Sequence, residues 1–239
     1  MDYTFLTSFS LVFVTILIYK YFLLNLEKEI AISSIRAFMQ LMLLGFVLLY
    51  LFEIEDKFIV IAVLLFMCAF ASYTASSREK LHKYTFLNAF ISLTLSLAIV
   101  LGSLVLLNII KFEAKDIITL GGIIVGNALN SYVLALNRLK SEVKKDKDLI
   151  ESKVALGDTI KNAYSNEIKV SIKASLIPII NNLQTVGVVL IPGITTGMIL
   201  AGANPIDAVS FQLVIMFMIL AISLISSIFD ILLSYKYLA

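Results

Sequence analysis

The chain has 239 residues, of which 60% are hydrophobic and only 15% charged, with a mean hydropathy of +0.97. A soluble domain carries roughly a quarter charged residues to coat its surface, and this chain lacks the material for that coat. A formal charge of +2 is too small to indicate nucleic-acid binding, so its distribution along the chain says more than its sum.

The first apolar segment follows Met1-Asp2-Tyr3 with no basic stretch before it and no small-residue cleavage site after it, so a retained anchor is expected rather than a signal peptide. A spanning helix needs about 20 mainly apolar residues. Seven stretches meet that requirement: 4–24, 35–52, 58–76, 86–110, 117–137, 183–201 and 208–235. Hydrocarbon forces every backbone N–H and C=O to bond internally, and runs this long without period-two alternation do not read as barrel strands. The predicted fold class is therefore all-α: a polytopic, multi-pass helical membrane protein of about seven transmembrane helices, forming one transmembrane domain over 1–239.

Basic residues set the expected orientation, because loops rich in lysine and arginine stay in the cytoplasm. Lys28 and Arg36 follow the first span, Arg78, Lys80 and Lys83 follow the third, and nine basic residues from Arg138 to Lys173 follow the fifth. The intervening loops are acidic, balanced or free of base. Seven spans with an external N-terminus satisfy every loop and leave Lys236 and the C-terminus cytoplasmic. Arg36 and Gln40, four apart at the start of the second span, form a candidate interface pair, in which Arg36 snorkels to the membrane surface or binds an anion or a partner.

The segment 138–182 is charged and is predicted to be a cytoplasmic helical element. Ile160, Tyr164, Ile168, Ile172 and Leu176 recur every four residues beside Lys161, Lys169 and Lys173, the pattern of an amphipathic helix. Asp158 is expected to cap it, and Gly157 to permit the turn from a short helix over 149–156. Two readings stand: a helix lying on anionic lipid, or a docking element for a cytoplasmic partner.

Catalytic equipment is missing. His82 is the only histidine, the single cysteine Cys68 lies within an apolar run, and no phosphate-binding Gly-rich loop occurs. Asp230 is the only acid well inside a span, which argues against a proton-coupled carrier. No catalytic residue, metal-ligand set or bound cofactor is therefore expected. Polar residues do sit in the spans. Asn127, Asn130 and Asn137 share a face behind Gly121, Gly122 and Gly126; they either bond between helices or line a path. In the sixth span Asn181, Asn182 and Gln184 precede Pro192 and Gly193, where the proline should kink or break the helix, with Thr195, Thr196 and Met198 around the freed carbonyls. Broken helices of this kind line substrate sites in transporters, although a purely structural kink fits the same residues.

The run Gly122-Ile-Ile-Val-Gly-Asn-Ala-Leu-Asn130, then Leu190-Ile-Pro-Gly-Ile-Thr-Thr-Gly-Met-Ile-Leu-Ala-Gly202 with Asn204-Pro205 and Gln212, resembles the FetB-type permease family, the membrane subunits of iron-exporting ABC transporters. The similarity takes in Arg36, Gln40 and Pro178 and covers nearly the whole chain. It implies a permease subunit of the cell inner (plasma) membrane that carries no ATPase site. ATP and Mg would belong to a separate ABC nucleotide-binding subunit, and two permeases would form a homodimer with the pathway at their interface. In that setting the candidate substrate-pathway residues are Asn127, Asn130, Gln184, Pro192, Gly193, Thr195, Thr196, Met198 and Gln212. Glu151, Lys153, Leu156, Gly157 and Asp158 become the ATPase-coupling element, although Ser152 and Lys153 stand where the comparable loop of ABC import permeases has small residues. The implied cargo is iron, another metal or a metal complex. The alternatives are an ATPase-independent channel or carrier, or a membrane scaffold for a soluble partner.

Overall fold

The computed structural model describes residues 7, 9–22, 27–53, 56–79 and 83–237. Residues 4–6, 8, 23 and 24 of the first predicted span lie outside the described residues, as do Lys80 and His82. The chain divides into two compact units, 1–54 and 55–239.

The first unit holds Phe9–Tyr21 (α1) and Glu27–Leu51 (α2). The rings of Phe9 and Phe38 meet edge to face at 5.5 Å, joining the two helices. Arg36 and Gln40 lie one turn apart on α2, both exposed.

The second unit holds Lys57–Arg78 (α3), Thr85–Leu106 (α4), Ala114–Lys145 (α5), Lys147–Ala155 (α6), Ile160–Ala163 (α7), Ser165–Thr185 (α8), Gly193–Leu200 (α9) and Pro205–Ser234 (α10), the last running into a tight helical turn, Tyr235–Tyr237. The Asp56 carboxylate opens α3 by accepting from the Phe58 N–H at 2.8 Å. Among the described residues five helices are long and apolar enough to cross a membrane: α2, α3, α4, α5 and α10. The protein is thus an all-α polytopic membrane protein. The 13-residue α1 is apolar but shorter.

Small residues bring the helices of the second unit together, since lipid offers no hydrophobic drive for helix association and close van der Waals packing must supply it. Ala71, Ala75, Ala89, Ala128 and Ala135 are all buried. A Cβ on Gly121 would overlap the Leu64 side chain, so α3 crosses α5 at a glycine. Serine hydroxyls then bond to backbone carbonyls of neighbouring helices: Ser92 to Ser226 at 3.1 Å and Ser226 to Ala128 at 3.5 Å. The Asn88 amide donates to the Leu233 carbonyl at 3.0 Å. With the Ser227 hydroxyl reaching the Ser131 carbonyl at 3.5 Å, these pairs set α4 antiparallel to α10 and α5 parallel to it.

The sixth predicted span, 183–201, is corrected. No continuous helix runs there: α8 ends at Thr185, and α9 begins only at Gly193. The helix stops about two turns before Pro192 because Gly187 adopts φ +84 and the chain curls back on itself. The Val188, Val189 and Leu190 N–H groups all point at the Thr185 carbonyl, at 3.3, 2.9 and 3.1 Å. The helix that traverses the bundle at this point is α8, running antiparallel to α10, with Tyr164 in one cluster with Ile231 and Tyr235, and Ser175 against Ser227. Its lysines and serines lowered its hydropathy and hid it from a length-and-composition ruler.

Two local expectations are also corrected. The stretch 160–176 is not one amphipathic surface helix: the chain breaks at Tyr164 between α7 and α8, and Tyr164, Ile168 and Ile172 pack on protein, against Ala135, Leu139 and Ile231, rather than on lipid. The cap is Thr159, whose hydroxyl accepts from the Asn162 N–H at 3.3 Å, because the Asp158 N–H still belongs to the preceding turn, donating to the Lys153 carbonyl.

Candidate functional site

The residues expected to line a path fall into two groups. The first surrounds the reversal between α8 and α10. Pro192 sits at the N-cap of α9 with extended backbone, its carbonyl accepting from the Thr196 N–H at 3.1 Å and from the Thr196 hydroxyl at 3.2 Å. Thr195, the preceding residue of α9, is buried and donates to the Gln212 carboxamide oxygen on α10 at 3.4 Å. Met198 is half-buried, and Gln184, Gly193 and Thr196 are exposed. The structure thus joins Thr195 to Gln212 and leaves Gln184 apart.

The second group lies on α5. Asn127 is half-buried and turns its amide back to the Ile123 carbonyl at 2.8 Å, one turn earlier on its own helix. Asn130 is exposed and its side chain makes no hydrogen bond among the described residues, and an added Cβ on Gly126, one turn earlier, would meet nothing within 4 Å. Asn137 does not join them: its amide donates to Glu79 at 2.7 Å. Gln212 precedes Ser226 by fourteen residues on α10, roughly 21 Å of axis, and Ser226 contacts α5 at Ala128. The two groups therefore mark two levels of the bundle.

The coupling candidates cluster where α5 gives way to α6 and α7. At 32 residues α5 is roughly 48 Å long, well beyond a hydrocarbon core of roughly 30 Å, and its basic end stays packed through Leu139 and Val143 against Tyr164 and Ile231. Glu151 pairs with Lys147 at 3.6 Å. Leu156 is 89% exposed at the tip, followed by Gly157 at φ +97, and Asp158 is exposed. Beneath them Val143, Ile150, Val154 and Tyr164, with Lys147 and Glu151, line a pocket of about 430 Å³. Burial pushes the Tyr164 phenol above its ordinary range, and the carboxylates of Glu167 and Glu151 push it the same way.

Sequence reasoning missed the polar seam that holds the bundle. Ser223, Ser226, Ser227, Asp230 and Ser234 are buried along one face of α10, meeting Ser92 of α4, Ser131 of α5 and Ser175 of α8. The signal was available as serines at intervals of three and four. It also missed Glu79, which takes Lys140 at 2.8 Å as well as Asn137 and so ties the end of α3 to α5. Burial alone would raise that carboxyl. The hydrogen bonds from Lys140 and Asn137, with the Lys140 charge, outweigh it and hold Glu79 below the usual carboxylate range.

The model of the uncharacterised protein family UPF0014 matches residues 3–239. The chain is 37% identical over 229 residues to "Probable iron export permease protein FetB" of Escherichia coli (strain K12), covering 96% of this chain and 88% of that protein. It is 36% identical over 209 residues to "Protein ALUMINUM SENSITIVE 3" of Arabidopsis thaliana, covering 86% and 75%. It is 36% identical over 223 residues to "UPF0014 membrane protein YjkA" of Bacillus subtilis (strain 168), covering 92% and 89%. No solved structure matches the chain.

Proposed function

The chain belongs to the UPF0014 family of membrane proteins, and from that premise we propose that it is the permease subunit of an ABC transporter, exporting iron, another metal or a metal complex with ATP hydrolysed by a separate subunit. The observation that carries the reading is the uncovered face of α5 at Gly126 and Asn130, one turn apart and both exposed. A carboxamide facing hydrocarbon without a partner costs roughly 2–7 kcal/mol. That face must therefore meet protein or water, and a second copy set against it would cover the stripe and enclose a path. The name of the Escherichia coli relative supports the direction and the cargo.

The remaining pieces have places in this scheme. Seven crossings with the N-terminus outside would include α1 and take α8 as the sixth, leaving the basic ends of α5 and α10 in the cytoplasm. The reversal at Thr195 and Gln212 would then lie at the outer end of the path, with Asn127 and Asn130 further in. The tip at Leu156 and Gly157 would seat in the nucleotide-binding subunit, so that closure of two ATPases swings α6 and switches access through the end of α5. Among the described residues no three His, Cys, Asp or Glu side chains converge. A cargo ion would therefore pass hydrated or complexed, handled by amide, hydroxyl and carbonyl oxygens.

The test is co-purification with the cognate ATPase, followed by ATP hydrolysis in lipid with and without ferrous iron, for the wild type and for a variant with charge reversals at Lys147 and Lys153. The expected outcome is a stable complex whose hydrolysis iron stimulates and which the reversals weaken. Absence of any associating ATPase at every salt concentration would sink the permease reading and leave an autonomous channel.

A further inference from the structure

Independently of that reading, the geometry points to a bound glycerophospholipid, with one acyl chain in the groove between α3, α4 and α5 and its phosphate on Lys57.

The groove has a volume of about 460 Å³, within the roughly 300–1,000 Å³ of small-molecule sites, and its walls are almost wholly hydrocarbon. Ile61 and Leu65 form one side, Ala98 and Gly102 the floor, and Phe112 and Ile117 close the end. It exists because α4 has little side chain at Ala98 and Gly102, so α3 and α5 pack around a space that α4 does not fill. An added Cβ at Gly102 would meet nothing within 4 Å. Ile61, Leu65 and Phe112 remain exposed, so the groove opens sideways on helices long and apolar enough to cross a membrane. A lateral opening of this kind, walled by aliphatic side chains, takes up the hydrocarbon that surrounds it.

Charge at one end turns that general solvation into a site. Lys57, the first residue of α3, holds its ammonium 5.7 Å from the centroid of Phe112, the ring that closes the groove. The cation therefore stands at the level where a spanning helix ends and headgroups begin. Asp56 caps α3 through the Phe58 N–H, and Glu113 lies 3.9 Å from Lys111. Among the described residues Lys57 has no carboxylate within ion-pair distance. A lipid phosphate supplies that counter-charge, and its acyl chain runs from the Phe112 end toward Ala98.

The test uses the full-length protein purified in detergent and titrated with dioleoyl phosphatidylglycerol, with bound lipid counted by native mass spectrometry. Gly102→Leu and, separately, Ala98→Leu place a side chain in the groove and should weaken retention roughly tenfold or more. Lys57→Gln, a surface change that leaves packing intact, should weaken it roughly fivefold. Lys111→Gln should leave it unchanged. Circular dichroism and gel filtration on each variant report the fold. Equal retention by the wild type and the groove-filling variants overturns the proposal, as does loss in Lys57→Gln alone, which would mean a headgroup contact without a seated chain. A change of oligomeric state in Gly102→Leu at unchanged lipid count overturns it in favour of a second copy of the chain in the groove.

Discussion

Ser175 on α8 and Ser227 on α10 face each other with their hydroxyl oxygens 2.8 Å apart, and Ser227 also reaches the Ser223 carbonyl at 2.7 Å. Two effects compete at this crossing: the hydrogen bond itself, and the close approach that a small side chain permits. Interhelical hydrogen bonds in membrane proteins average about 0.6 kcal/mol, whereas an extra methylene group in a packed core costs about 1–3 kcal/mol. Ser227→Ala should therefore lower stability by less than about 1 kcal/mol and Ser227→Leu by about 1–3 kcal/mol, measured by denaturant unfolding in detergent. A larger loss for alanine would show that the polar bond, not packing, joins the two helices.

Glu79 provides a pH-dependent tie between α3 and α5. Its folded-state carboxyl titrates below its unfolded value, so the stabilisation is present above the unfolded pKa and lost as pH falls through the folded one. Glu79→Gln should cost about 1 kcal/mol or less at pH 7, the range for a partly exposed ion pair. The gap between variant and wild type should close as the pH drops through the carboxylate range, followed as melting temperature against pH. A gap that is constant with pH would assign the effect to the amide bond with Asn137 instead.

Much of this arrangement was legible in the sequence. The apolar runs that became α2 to α5 and α10 are long, and length is the feature a bilayer imposes most directly. An interruption near Pro192 was legible from the proline, but its position and cause were not: α8 already ends at Thr185, where Gly187 turns the chain, and Pro192 serves as the N-cap of α9. The course of α8 was not, since Ser171, Ser175, Lys169 and Lys173 dilute its hydropathy, and the contact that places it, Ser175 with Ser227 of α10, joins residues far apart in sequence. The union of Thr195 with Gln212 was equally hidden: both residues were singled out, but the reversal that brings them together depends on Gly187 turning left-handed, and a glycine does not announce its φ. Asp158 and Thr159 were both able to cap, and only the hydrogen bond of the Asp158 N–H to Lys153 decides between them.

At the tip between α6 and α7, Leu156 and Gly157 should separate docking from folding. Leu156 is 89% exposed, so Leu156→Glu should change stability by no more than about 0.5 kcal/mol while abolishing co-purification with an ATPase subunit. Gly157 has φ +97, where an L side chain is strained, so Gly157→Ala should destabilise the protein by about 1 kcal/mol or more. If Leu156→Glu left ATPase binding intact, the docking surface would have to be sought elsewhere, first at the pocket beside Ile150 and Val154.

Two glycines on opposite sides of α5 should respond in opposite ways. Gly121 lies under Leu64, so Gly121→Leu must push α3 away and should cost about 1–3 kcal/mol or more. Gly126 faces open space, and Gly126→Ala should stabilise the single chain by up to about 1 kcal/mol through helix propensity alone. Gly126→Leu should also fold, but it sets a bulky side chain beside Asn130 on the face that a second copy is proposed to cover. Its expected phenotype is a monomer on gel filtration and loss of metal export, with the unfolding midpoint maintained. A variant that remained dimeric and active would show that this face meets neither a partner nor the path, and Asn130 would then need another explanation for its place on an uncovered surface.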